Sequence, residues 1–156
     1  MIAPSNDELS MSLKKTRIKP RIIRELRYVP SEILHPESRD FLAIMNKSHS
    51  AGVLLFENIF YPFSLTKKAA SSTGRIDGII CDICATWQRG SKAARLTLPK
   101  GDKVSVSYLV CADLDCSLHV RDLTPESKLS RAQLREHISP KGRVERLYKN
   151  LSRILQ

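Results

Sequence analysis

Tyr108-Leu109-Val110-Cys111-Ala112-Asp113-Leu114-Asp115-Cys116-Ser117-Leu118-His119-Val120-Arg121 is the stretch on which the reading of this chain turns. It holds two of the four cysteines, in Cys-x4-Cys spacing. The other two form the knuckle Cys81-Asp82-Ile83-Cys84. A Cys-x2-Cys turn points both sulfurs at one centre and frees backbone N–H groups to support them. Four thiolates suit a tetrahedral Zn2+ and leave no open coordination position, which makes the predicted site structural and not water-activating. A redox dithiol at Cys81 and Cys84, an iron–sulfur cluster and free buried thiols remain open on spacing alone. His119, three residues past Cys116, either substitutes as a ligand or is a surface or half-buried strand residue. Asp82, Asp113 and Asp115 read as groups that cap turns around the metal.

Working outward, residues 92–98 and 103–110 read as a hairpin across Pro99-Lys100-Gly101-Asp102. Val104, Val106, Tyr108 and Val110 alternate with Lys103, Ser105, Ser107 and Leu109, so the second strand delivers Cys111 at its end. Ser130 with Gln133 resembles a capping box for a helix through Ile138. Ser139-Pro140 then opens a second helix as cap and first residue. Its stripe of Val144, Leu147, Tyr148, Leu151, Ile154 and Leu155 faces the sheet, with Arg143, Arg146, Lys149 and Arg153 away from it. Towards the N-terminus, residues 41–60 read as a hairpin whose second strand runs over Ala51–Phe60, and residues 64–75 read as a surface loop. Ile22, Ile23 and Leu26 make the apolar side of a short helix opened by Pro20 and stopped by Pro30, within the basic stretch Lys14, Lys15, Arg17, Lys19, Arg21, Arg24 and Arg27. The predicted class is α+β: antiparallel hairpins with C-terminal helices, stapled by zinc.

The chain has 156 residues, enough for one domain with an arm. Its 26 Lys and Arg against 16 Asp and Glu give +10, which favours acidic partners: RNA, the ribosome or an acidic protein face. The first residues lack the pattern of a secretory signal, and no apolar run is long enough for a membrane span. With the cysteines in two close pairs, the chain reads as cytoplasmic. It shows no Ser–His–Asp arrangement, no phosphate-binding Gly-rich loop and no His-Glu-x-x-His, so a non-enzyme is expected.

The Tyr108–Arg121 stretch, with Cys81-Asp82-Ile83-Cys84-Ala85-Thr86-Trp87-Gln88 before it, closely resembles the zinc-finger signature of the elongation-factor-G-binding proteins, which include the fusidic-acid-resistance proteins. Ser139-Pro140 and Arg143-Val144-Glu145-Arg146-Leu147 through Asn150-Leu151 resemble that family's final helix. The resemblance implies a treble-clef-like domain, with Cys81, Cys84, Cys111 and Cys116 as zinc ligands and elongation factor G (EF-G) as partner, released from the ribosome by the binding. With the polar start and the basic stretch before it, the chain divides into a flexible tail (1–11), a basic helical arm (12–38) and the zinc-finger domain (39–156) that carries the resemblance. The alternative is a basic zinc-finger protein that binds RNA or the ribosome, its phosphate contacts coming from the Lys14–Arg27 stretch and from Arg89, Lys92 and Arg95. There Trp87 and Tyr108 are either base-stacking or packing residues.

Overall fold

The computed structural model describes residues 3–16, 18–67 and 77–156. At its centre is a five-stranded antiparallel sheet built from β1 (Leu42–Met45), β2 (Ala51–Phe56), β3 (Ile59–Lys67), β6 (Ala93–Pro99) and β7 (Ser105–Cys111), paired in that order. A two-stranded ribbon of β4 (Ile79–Ile80) and β5 (Trp87–Gln88) carries the first cysteine pair between its strands.

The run Val53-Leu54-Leu55-Phe56 is buried throughout because both faces of the sheet are covered. Leu54 and Phe56 join Phe63, Leu65, Leu96, Leu98 and Val110 on the face that also receives the cysteines. Val53 and Leu55 join Leu42 and Ile44 on the other, where Leu9, Leu13 and Ile18 from the N-terminal segment close the layer. Gly52 permits the pairing: a Cβ there would fall 2.2 Å from the carbonyl oxygen of Ile44 on β1.

The predicted hairpin over residues 41–60 forms, but its second strand ends at Phe56. Glu57 and Asn58 both take positive φ, 48° and 62°, and make a two-residue turn that places Phe60 in β3. Glutamate at the first position hides that turn from a reading that looks for glycine. The predicted loop over 64–75 is corrected in part, since Ser64, Leu65, Thr66 and Lys67 pair with β6. Its remainder lies outside the described residues.

The N-terminal tail is likewise corrected. Residues Asn6–Lys14 form helix α1, opened by a capping box in which Ser5 Oγ accepts from the Glu8 N–H and Glu8 accepts from the Ser5 N–H. Helix α2 (Pro20–Glu25) does lie in the basic stretch, and Ile22, Ile23 and Leu26 pack on the outer face of the sheet as their stripe predicts. Arg21 and Arg24 engage Glu25 and the carbonyl of Pro20 from the exposed side.

Three helices follow β7: α3 (Cys116–Val120), α4 (Pro125–Leu134) and α5 (Pro140–Leu155). Ser139 caps α5, its Oγ accepting from the Gly142 N–H at 3.2 Å. Leu147, Leu151 and Ile154 are fully buried against the sheet, while Tyr148 tilts over Phe56 with ring centroids 5.1 Å apart. Helix α4 departs from the sequence reading. Thr124 is its cap, and Ser130 sits inside the helix, accepting the Trp87 N–H at 2.8 Å. Arg143 is also corrected. It is 4% exposed, gives its Nε hydrogen to the carbonyl of Val120 at the end of α3, and pairs with Asp122 at 2.6 Å. No described helix is long and apolar enough to cross a membrane.

Candidate metal centre

The knuckle is a tight turn. The Ala85 N–H reaches the Cys81 carbonyl at 2.8 Å, the Cys81 N–H reaches the Thr86 carbonyl at 2.9 Å, and Ala85 takes φ 56° to close the loop. Two further contacts aim it. The Asp82 backbone and carboxylate engage both polar backbone groups of Leu109 on β7, and Asn150 on α5 donates to the Ile83 carbonyl at 3.0 Å.

The second pair spans the junction of β7 and α3. Cys111 ends the strand and Cys116 is the first residue of the helix, so the four intervening residues are the turn between them. Leu114 turns the chain at φ 55° and drops its side chain into the core. Asp113 Oδ1 accepts from the Asp115 N–H at 3.0 Å, and Asp115 Oδ1 receives Arg39 at 2.7 Å. Only Asp113 therefore caps its turn as expected; the Asp82 carboxylate reaches the β7 backbone, and the Asp115 side chain takes Arg39 and does not cap α3. Arg39 and its neighbour Asp40, which meets Arg121 through two hydrogen bonds of 2.6 and 2.9 Å, clamp the start of β1 onto this turn. Sequence reasoning missed that clamp, because Arg39 and Asp115 lie 76 residues apart.

All four sulfurs meet, and the ligand atoms lie within 4.8 Å of one another. Cys81 and Cys116 stand 3.7 Å apart and Cys84 and Cys111 3.5 Å, each sulfur in the fully buried interior. A tetrahedron with zinc–sulfur bonds of about 2.3 Å has edges of about 3.8 Å, so the donor set fits a four-coordinate ion. The electrostatics agree. Burial pushes the Cys111 and Cys116 thiols well above their ordinary value. Burial opposes ionisation of Cys81 too, but donation from the thiols of Cys111, Cys116 and Cys84 holds it well below. The protein alone thus favours the Cys81 thiolate, and a divalent cation held there would supply the charge that favours ionisation of Cys111 and Cys116.

His119 is not a strand residue and not half-buried: it is in α3 and 1% exposed. Its Nδ1 meets Thr124 Oγ1 at 2.7 Å and its Nε2 lies 3.4 Å from Asp113 Oδ1. It sits beside Cys111 but outside the four-sulfur group. Thr86 was also missed. Its hydroxyl stands 2.9 Å from Cys84 Sγ, and a threonine two residues past a knuckle is the only sequence trace of it.

Residues 29–156 match the family model described as the FBP C-terminal treble-clef zinc-finger. No curated protein and no solved structure matches the chain. The matched span includes both cysteine pairs, the hairpin between them and the helices that follow.

Proposed function

This chain belongs to the FBP C-terminal treble-clef zinc-finger family, and from that premise we propose that it is a non-catalytic cytoplasmic protein that binds elongation factor G and promotes its release from the ribosome. A metal-binding fold is the foundation. The observation that carries the reading is the meeting of four buried sulfurs from the knuckle, the end of β7 and the start of α3.

Cys81, Cys84, Cys111 and Cys116 are the proposed ligands and Zn2+ the proposed ion. When bound, such an ion supplies Lewis-acid charge with no vacant position, so its work is to hold elements together. The chain's own residues set the geometry: Asp82 and Asn150 orient the knuckle, Asp113 and Arg39 the second turn. Function then rests on the surface this centre keeps in shape. The net charge of +10 would speed encounter with an acidic face of a partner. The resemblance of Cys111–Arg121 to the elongation-factor-G-binding signature supports that partner.

The deciding experiment is a pull-down with purified EF-G at two salt concentrations, with and without nuclease. Saturable binding that survives nuclease and moderate salt is expected. Binding that disappears with nuclease would overturn the reading.

A further inference from the structure

A cavity of about 270 Å³ opens between β5 and the first turn of α4, away from the four sulfurs. Its walls include Trp87, Gln88, Arg89, Ser91, Lys92 and Glu126. This is below the size of a pocket for drug-like ligands and suits one flat group.

Three observations define the pocket. Gln88 is 1% exposed, and its Nε2 donates to Thr86 Oγ1 at 3.1 Å while its Oε1 has no partner among the described residues. Flipping the amide only exchanges which end is unpaired. The amide is sealed from solvent, so Gln88 serves as a fixed wall of the cavity and not as a ligand's partner. Trp87, the single tryptophan of the chain, is half-buried: its backbone N–H is held by Ser130, and its indole packs on Gly78, where a Cβ would fall 2.8 Å from the ring. Arg89 and Lys92 are exposed cations at the rim. Lys92 Nζ lies 3.7 Å from Glu126, and two cations against that one carboxylate leave the mouth positive.

We propose that this pocket takes one unpaired nucleotide of a single-stranded nucleic acid. The base lies against Trp87, and its phosphates meet Arg89 and Lys92. An aromatic platform beside a positively charged rim is how sequence-tolerant single-strand binding works. An acidic peptide would use the cations but leave the indole idle. The inference goes beyond docking on EF-G and stands or falls separately from it.

The test uses the metal-loaded full chain, with Trp87 fluorescence as a readout that reports this pocket alone. Hexanucleotides of adenine, in ribo and deoxy forms, are titrated beside hexa-aspartate. Saturable quenching by an oligonucleotide and none by the peptide is expected, and the two sugar forms identify the natural source. Arg89→Ala with Lys92→Ala should flatten the salt dependence by about 1.4 slope units, two contacts on a single strand. Both side chains of the double variant are exposed, so its fold and metal content should be unchanged. Absence of quenching, equal quenching by hexa-aspartate, or an unchanged slope in the double variant would each overturn the proposal. Failure to bind EF-G would leave it untouched.

Discussion

Asp82 and Leu109 exchange a reciprocal pair of hydrogen bonds: the Asp82 N–H donates to the Leu109 carbonyl at 2.8 Å, and the Leu109 N–H donates to Asp82 Oδ2 at 2.7 Å. One side chain thereby completes a backbone pairing between the knuckle and the outer edge of β7. Asp82→Ala should cost about 1–2 kcal/mol, a hydrogen bond to a charged acceptor at a partly solvated site. Urea unfolding of the metal-loaded protein measures it. Asp82→Asn should recover part of the loss, because the amide oxygen still accepts.

Metal removal should be far more damaging. A structural zinc centre contributes on the order of 10 kcal/mol, which exceeds the net stability of many small domains. We expect one equivalent of zinc in purified protein and loss of cooperative thermal unfolding after exhaustive chelation, restored by adding the metal back. Less than half an equivalent in protein never exposed to chelator would contradict the assignment. A melting curve indifferent to chelation would contradict the structural role.

Arg143 offers a test independent of the metal. It is buried, paired with Asp122 and bonded to the Val120 carbonyl. Asp122 also meets Arg131, so removing Arg143 leaves a partly compensated carboxylate. Arg143→Met should destabilise by about 3 kcal/mol, the lower end for breaking a buried pair, with zinc content unchanged. Chemical denaturation and a zinc assay on the same sample check both halves.

Glu8 gives a pH dependence. Hydrogen bonds from the backbone and then the side chain of Ser5 hold its carboxyl below the ordinary 4.5. A depressed folded-state value means that its contribution to the α1 cap is present above the unfolded value and fades as pH falls through the folded one. The Glu8 carboxyl should therefore titrate below 4.5 in an NMR experiment, and Ser5→Ala, which removes the hydroxyl but keeps the backbone N–H, should raise it only part of the way back.

The parts of this fold that the sequence announced are those governed by local rules. Ser139-Pro140 is a cap followed by a proline at the first helical position, and α5 begins there. Val53–Phe56 had no period because both faces of β2 are buried, and such runs still read as strand. The cysteine spacing and the family resemblance anticipated the four sulfurs that meet. What stayed hidden depends on partners distant in sequence. Ser130 looked like a cap because its hydroxyl was assumed to serve its own helix, whereas it serves Trp87, 43 residues earlier. Arg143 looked like a solvated charge because nothing nearby foretells Asp122 and the Val120 carbonyl. His119 read as a surface or half-buried strand residue, whereas the turn closed by Leu114 in a conformation unusual for leucine leads into α3 and buries it there.

The two-sided sheet has a consequence for where the protein can be cut. The family match starts at residue 29, yet Leu9, Leu13 and Ile18 cover the outer face of β1 and β2 from before that point. A fragment trimmed to the family boundary would keep its metal centre and bare Leu42, Ile44, Val53 and Leu55 to water. Self-association of that fragment is the outcome to expect, and the first 28 residues are a shield the sheet requires.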